Sequence, residues 1–240
     1  MRERYLIEVE TIITELKEIA YKNGALVSEI NPLLSLLQDH IKTSSFQPSK
    51  QAWLQQILVL IRQWVYYREL RNNSGNYFLW RDKCMADNVL WIKEQNPNSK
   101  LIVWAHNWHV MKTDNMQGYH LAQKLGNDYI NFGFTFFDGS YMANGSKGLT
   151  SYDAAIAFPG TLEYLLNQLN EPLFILDLKK IKADNHKDTK WLMEYLLYRY
   201  ADERGSNPPP EFSGLRNISD DFDYLIFIKT SSPSSVFLTP

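Results

Sequence analysis

Lys100-Leu101-Ile102-Val103-Trp104-Ala105-His106-Asn107-Trp108-His109-Val110 is the stretch on which the fold of this chain turns. Its first six residues form a short apolar run rich in β-formers, which predicts a buried strand. His, Asn and His follow at once. In α/β sheets, ligands bind in the crevice beyond the carboxyl ends of the strands. A side chain placed there is held by a rigid scaffold yet reaches solvent. Imidazole is the side chain best suited to proton transfer near neutral pH. Two histidines three residues apart can face one pocket when the turn leads into a helix. The plainer reading makes His106 and His109 polar caps on a strand end, and position alone does not separate the two. A metal site would need a third ligand. Asp114, the nearest acid, lies in a polar loop, so no metal and no cofactor is expected.

Outward from this stretch the chain divides. Upstream, the spacing of apolar residues predicts helices. The first carries Tyr5 to Ala20 and stops near Gly24, and a second covers Leu26 to Ile41. A third runs from about Ser49 to Arg71, with Trp53, Ile57, Leu60, Ile61, Trp64 and Tyr67 on one stripe. A loop over Asn72–Asn76 precedes a fourth helix, Tyr77 to Gln95, closed by Asn96-Pro97-Asn98-Ser99. Downstream, helices predicted over Tyr119–Leu125, Leu162–Leu169 and Trp191–Tyr200 alternate with strands over Tyr129–Phe137, Leu173–Leu178 and Tyr224–Ile228. Pro208-Pro209-Pro210 marks an irregular loop. Such alternation argues for an α/β fold: a helical amino-terminal part and a small, mostly parallel sheet flanked by helices. The expected division is a helical segment over 1–75 and an α/β portion over 76–240.

Composition narrows the function. The chain has 240 residues, 45% hydrophobic and 22% charged, enough to build a core. The formal net charge of -2 gives no basic excess for nucleic acid. Aromatic residues reach 14%, a share that suits pockets for bulky organic ligands as well as cores. A single cysteine, Cys84, excludes an internal disulfide and reads as a core thiol. No apolar run is long enough for a membrane span and the amino terminus is charged, so the expected compartment is the cytoplasm.

A second motif, Trp80-Arg81-Asp82-Lys83-Cys84-Met85-Ala86-Asp87-Asn88-Val89-Leu90-Trp91, would as a helix set Arg81, Met85, Asn88 and Ile92 on one face. Arg81 could clamp a carboxylate or oxyanion there. A structural ion pair with a buried acid is the alternative.

Arg81-Asp82-x-x-Met85-Ala86-x-Asn88-Val89-Leu90-Trp91 followed by Trp104-Ala105-His106-Asn107-x-His109-Val110 resembles the erythromycin esterase family. Ile130–Phe136 with Gly139-Ser140, Pro159-Gly160-Thr161-Leu162-Glu163 and Phe222–Ile228 fit the same resemblance, which runs from about residue 50 to 235. It implies hydrolysis of an ester or lactone, macrolide antibiotics being the best-known substrates, in a cleft between a helical and an α/β part. It implies that His106 and His109, with Arg81, are catalytic, and that Asn107, Asn88 and Trp108 contact substrate. The family's general base lies in an upstream Gly-Glu-x-x-His motif, and this sequence contains none. The expectation is therefore the carboxyl-terminal portion of the family fold, inactive or weak alone, with a small-molecule ester as ligand and an upstream fragment as partner. The alternatives are a non-catalytic remnant that binds a bulky organic molecule and a metal hydrolase built on the two histidines.

Overall fold

The computed structural model describes residues 27–235 apart from 74, 146–147 and 200–211, together with 11 and 14. The helix expected over Tyr5–Ala20, the stop at Gly24 and the Pro208–Pro210 loop lie outside the described residues. The chain forms two compact units, Met1–Asn88 and Val89–Pro240.

The first unit is helical. Helix α1 spans Val27–Thr43 and α2 spans Pro48–Asn72. Pro48 opens α2, where its missing N–H costs nothing. The amide of Gln51 donates to the carbonyls of Ile41 (3.2 Å) and Ser44 (3.1 Å), closing the end of α1. Ile30 and Leu34 of α1 meet Leu58 and Val65 of α2 in a small core, with Ile61 packed against it. The stripe expected on α2 is not the buried one: Trp53, Ile57, Leu60 and Trp64 are exposed. This helix is apolar on more than one side, so periodicity alone could not choose the face. Helix α3, Tyr77–Gln95, has the bounds that its flanking Asn, Gly and Pro residues predict. Trp80 donates to the Gln63 carbonyl at 3.2 Å and sets its ring edge-on to Tyr66.

The second unit holds a four-stranded mixed sheet in the order β2-β1-β6-β3. Strand β1 is Phe132–Gly145, β2 is Gly148–Asp153, β3 is Leu173–Asp177, and β6 is Tyr224–Ser231. The β1–β6 pair is parallel, whereas β1–β2 and β3–β6 are antiparallel. The α/β class holds, but the sheet is mixed rather than mostly parallel: only the central β1–β6 pairing is parallel, because β2 follows β1 as a hairpin and β3 runs against β6. Strand β1 changes partner near Gly139, whose φ of 107° and close approach to Ser231 leave no room for a side chain. Five short helices accompany the sheet, α4 (Asn107–Val110), α5 (Gln117–Leu125), α6 (Leu162–Asn167), α7 (Leu178–Asp184) and α8 (Ile218–Asp221), of which α4 and α6 pack against β1 and α6 and α7 against β6. Thr161, Asp177 and Asn217 cap the last three through side-chain oxygens.

Two elements differ from the sequence expectation. The helix predicted over Trp191–Tyr200 is a 3₁₀ turn, Lys190–Met193, followed by strand β4, Leu196–Arg199, which pairs with β5, Phe212–Arg216. A short apolar run is ambiguous between helix and strand. Here β5 and the Glu163 carboxylate, which accepts the Arg199 N–H at 2.8 Å, decide it. The second difference is Lys100–Ala105, which is neither buried nor laddered. It joins no strand, and Ile102 and Trp104 are 93% and 85% exposed. No helix of the described residues is long and apolar enough to cross a membrane.

Candidate active site

The histidines of the decisive stretch stand on one helical turn. His106 caps α4 with extended backbone, and its Nδ1 accepts the Trp108 N–H at 3.3 Å. The His109 N–H donates to the His106 carbonyl at 2.9 Å, which sets the two residues one turn apart. His106 is exposed and His109 half-buried, so both are reachable from solvent.

Asn107 fixes the turn to the sheet. Its Nδ2 donates to the Phe134 carbonyl at 2.6 Å, and its Oδ1 accepts the Phe134 N–H at 3.0 Å. The side-chain amide thus takes the place of a neighbouring strand at the open edge of β1. Both groups of Phe134 that pairing with β6 leaves unused are satisfied.

The loop beyond the turn is clamped by residues that sequence reasoning left without a role. Asn131, buried, donates to the carbonyls of Val110 (2.7 Å) and Asp221 (2.9 Å). The Tyr129 hydroxyl adds a bond to the Val110 carbonyl at 2.7 Å, and burial, then Asp223, pushes that phenol well above its ordinary pKa. Gly118 lets α5 sit on the loop, because a Cβ there would stand 2.2 Å from the Val110 oxygen. Arg216 grips the buried Asp221 carboxylate with Nε (2.7 Å) and Nη2 (2.9 Å), and reaches Asp114 (2.6 Å) and Thr113 (2.7 Å). Thr113 also donates to Asp221. The bond to Asp221 is the largest of the effects that strengthen the guanidinium's hold on its proton, and burial opposes it. The same guanidinium lies 5.6 Å from the Trp108 ring, a cation–π contact within the histidine turn. Removing one partner from so buried a pair costs about 3–5 kcal/mol, so this loop is preorganised rather than pliant.

A second polar cluster gathers at Thr135–Phe137 of β1. Glu163, fully buried, accepts from the Thr135 hydroxyl at 2.5 Å and from the Arg199 N–H at 2.8 Å. Burial raises its pKa, against those two hydrogen bonds. Its Oε2 has no hydrogen-bond partner among the described residues. The Arg199 guanidinium bonds the carbonyls of Phe136, Phe137 and Ala155 at 2.6–2.9 Å. No signal short of the fold pairs these residues, which are dozens of positions apart.

The structure thus brings His106, Asn107, Trp108 and His109 together on one turn. Arg81 and Asn88 belong to α3 in the first unit. Arg81 is exposed. Asn88 accepts from Gln56 at 2.9 Å and donates to Gln63 at 3.1 Å, tying α3 to α2. Cys84 is buried as expected, its thiol pushed up to about 11 chiefly by desolvation. Among the described residues, no group of three or more His, Cys, Asp or Glu is placed to hold a metal ion.

Comparison with known proteins adds the wider frame. Residues 9–231 match the sequence model of the erythromycin esterase family, beginning upstream of the motifs quoted above. A Bacillus subtilis (strain 168) protein, YbfO, whose name provisionally assigns it to the hydrolases, is 22% identical over 175 residues, 66% of this chain and 36% of that protein. The erythromycin esterase type II of Escherichia coli is 38% identical over 69 residues, 25% of this chain and 16% of its own length. A crystal structure of a Bacillus cereus protein matches with a TM-score of 0.74 at 25% identity, over 88% of this chain and 52% of that one. The crystal structure of a succinoglycan biosynthesis protein matches with a TM-score of 0.77 at 20% identity, over 98% of this chain and 59% of that one, a likeness of fold alone. The chain therefore spans about half the length of these solved proteins and about a third or less of the curated relatives it matches.

Proposed function

Because the chain belongs to the erythromycin esterase family, we propose that it supplies the histidine-bearing half of a hydrolase that cleaves carboxylic esters or lactones. The observation that carries this reading is the solvent-reachable turn of His106 and His109, pinned to β1 by Asn107. A neutral His106 whose Nδ1 accepts the Trp108 N–H carries its proton on Nε2. That ring is a hydrogen-bond donor, suited to an oxygen that gains negative charge rather than to removing a proton.

The step follows from this. Water attacks the ester carbonyl carbon and gives its proton to a base outside these 240 residues, in the Gly-Glu-x-x-His motif of the family. The carbonyl oxygen becomes an oxyanion held by the imidazole N–H. The C–O bond to the alcohol then breaks, and the alkoxide takes up the proton. Trp108 supplies an apolar wall for a bulky acyl or lactone group, and Asn107 fixes the turn. Arg81 and Asn88 enter this proposal through the family motif alone. An Arg81→Lys variant with full activity would remove Arg81 from it. Without its base the isolated chain is slower by about 10²–10⁴-fold.

The test combines the chain with the Gly-Glu-x-x-His portion of a longer relative and measures hydrolysis of simple aryl esters and of macrolide lactones. Hydrolysis by the pair, reduced about a hundredfold or more by His106→Ala, is the expected result. An active pair indifferent to His106→Ala, or an inactive one, refutes the reading. The missing Gly-Glu-x-x-His motif favours a second reading, a domain that binds bulky esters without cleaving them. Thermal stabilisation of the pair by macrolides without turnover would select it.

A further inference from the structure

Arg216 closes β5 and reaches the loop that follows the histidine turn in the chain. Its Nε and Nη2 fork the buried Asp221 carboxylate at 2.7 and 2.9 Å. Nη2 also bonds the Thr113 hydroxyl oxygen at 2.7 Å, and Nη1 bonds Asp114 at 2.6 Å. Bonds from all three nitrogens leave the planar group one orientation. In that orientation its charge stands over the Trp108 ring, 5.6 Å from the ring centre. A structural ion pair with Asp221 would need neither the loop nor the indole.

The loop itself is strained. Asp114 and Asn115 both take the left-handed backbone, each with a φ of 56°. Residues with a side chain seldom adopt it, and two in succession persist only where their surroundings hold them. The hold is visible. Arg216 draws in the Asp114 carboxylate, and the Met116 N–H closes the turn on the Thr113 carbonyl at 3.3 Å. Backbone strain of this kind gathers where a neighbouring group has to be kept in one place.

The histidine turn is thus held from two sides. Asn107 ties it to β1 by two hydrogen bonds, and Arg216 holds the Trp108 ring and the residues beyond. Between these holds lies the Trp108 N–H, which donates to His106 Nδ1 at 3.3 Å. A bond of that length is at the weak end of the range, and a small rotation of Trp108 breaks it. Which nitrogen of a neutral imidazole carries the proton is set by the bond that the other nitrogen makes.

We propose that Arg216 is a positioning residue for His106. Through the Trp108 ring it keeps the Trp108 N–H on Nδ1, and so keeps the imidazole proton on Nε2. This deepens the catalytic reading above and rests on it only for the use of that proton, donation to an oxyanion. Lysine at 216 keeps a charge beside Asp221 but lacks the fork, so it cannot hold Asp221, Asp114 and Trp108 at once.

The experiment reads the His106 tautomer in the full chain by nitrogen NMR of labelled histidine, at about pH 8, where an ordinary imidazole is neutral. The parent should show the Nε2–H form. In Arg216→Lys the ratio of Nε2–H to Nδ1–H should fall about tenfold, the worth of one hydrogen bond. Trp108→Leu, which leaves every bond of the guanidinium in place, should lower it by the same factor. The double variant should lower it no further, because the two residues act in series. A parent in the Nδ1–H form overturns the proposal, and so does an Arg216→Lys chain with the parent's ratio. Effects that add in the double variant overturn it too, since Arg216 would then act by a route other than Trp108. If Arg216→Lys does not fold, Trp108→Leu decides alone: a parent-like ratio there refutes the relay. No ester is present, so a tautomer shift in a chain that hydrolyses nothing upholds this inference while the catalytic reading falls.

Discussion

Glu163 shows what one buried carboxylate does to the pH response of this fold. One oxygen is held by Thr135 and the Arg199 N–H, and the other has no hydrogen-bond partner among the described residues. Burial dominates and raises the folded-state pKa above that of an unfolded glutamate. An acid raised in this way favours the fold while protonated. Its contribution is fully present below the unfolded value and is lost as pH rises through the folded one. Gln in its place keeps an acceptor for Thr135 and Arg199 but does not titrate. Glu163→Gln should therefore melt close to the parent near pH 4 and above it near pH 8, the gap widening with pH. Thermal melts of both proteins across that range check the claim. A gap that stays constant would mean that Glu163 ionises in the fold as freely as in water. The residue lies in a motif quoted for its family resemblance, but its burial was not legible, because Thr135 and Arg199 meet it only through the fold.

At the scale of elements, the histidine turn owes its place to α5 as much as to β1. Gly118 sits where the helix meets the loop, and a Cβ would stand 2.2 Å from the Val110 oxygen and 2.4 Å from that of Met111. Both are backbone atoms, already engaged or flanked by the Asn131 and Tyr129 bonds, so neither can yield alone. Gly118→Ala should cost about 1–3 kcal/mol and shift the His106 and His109 ring signals in NMR spectra. A parent-like melt with unmoved imidazole signals would show that the loop gives way freely. Local chemistry made several elements readable. The bounds of α3 follow from Gly75-Asn76 before it and Asn96-Pro97 after it, and β3 and β6 follow from their apolar runs. The His106–His109 turn was legible for the same reason, as histidines directly after an apolar run. What holds the turn was not, since Asn131, Arg216 and Asp221 reach it across 21 to 108 positions of chain. Strand β4 was misread as helix because a short apolar run does not name its partners, β5 and Glu163, which only the fold brings beside it.

For the molecule as a whole, the apolar pattern that predicts a buried strand at Lys100–Ala105 belongs instead to an exposed segment that joins no strand, because burial requires neighbours as well as hydrophobicity. An uncovered face of Phe134, Leu173, Ile175 and Ile102 is a cost to the isolated chain in water. Contiguous apolar surface of this kind drives self-association, and β3, at the end of the sheet order, carries its exposed Leu173 and Ile175 with no neighbour beyond it. Lysine at an edge position opposes such pairing without disturbing the core, since its charge stays in water and its stem covers apolar surface. Leu173→Lys/Ile175→Lys should therefore lower the binding of an apolar fluorescent dye and raise the concentration at which the chain aggregates. Its melting temperature should change little, because surface substitutions of this kind stay within about 0.5 kcal/mol. A large loss of stability would mean that the two side chains are packed in solution, and the sheet face would then be covered by this chain's own residues. Unchanged dye binding would move the apolar surface elsewhere. If both expectations hold, the aggregation of the chain and its dye binding have one cause, the exposed apolar side chains of β3.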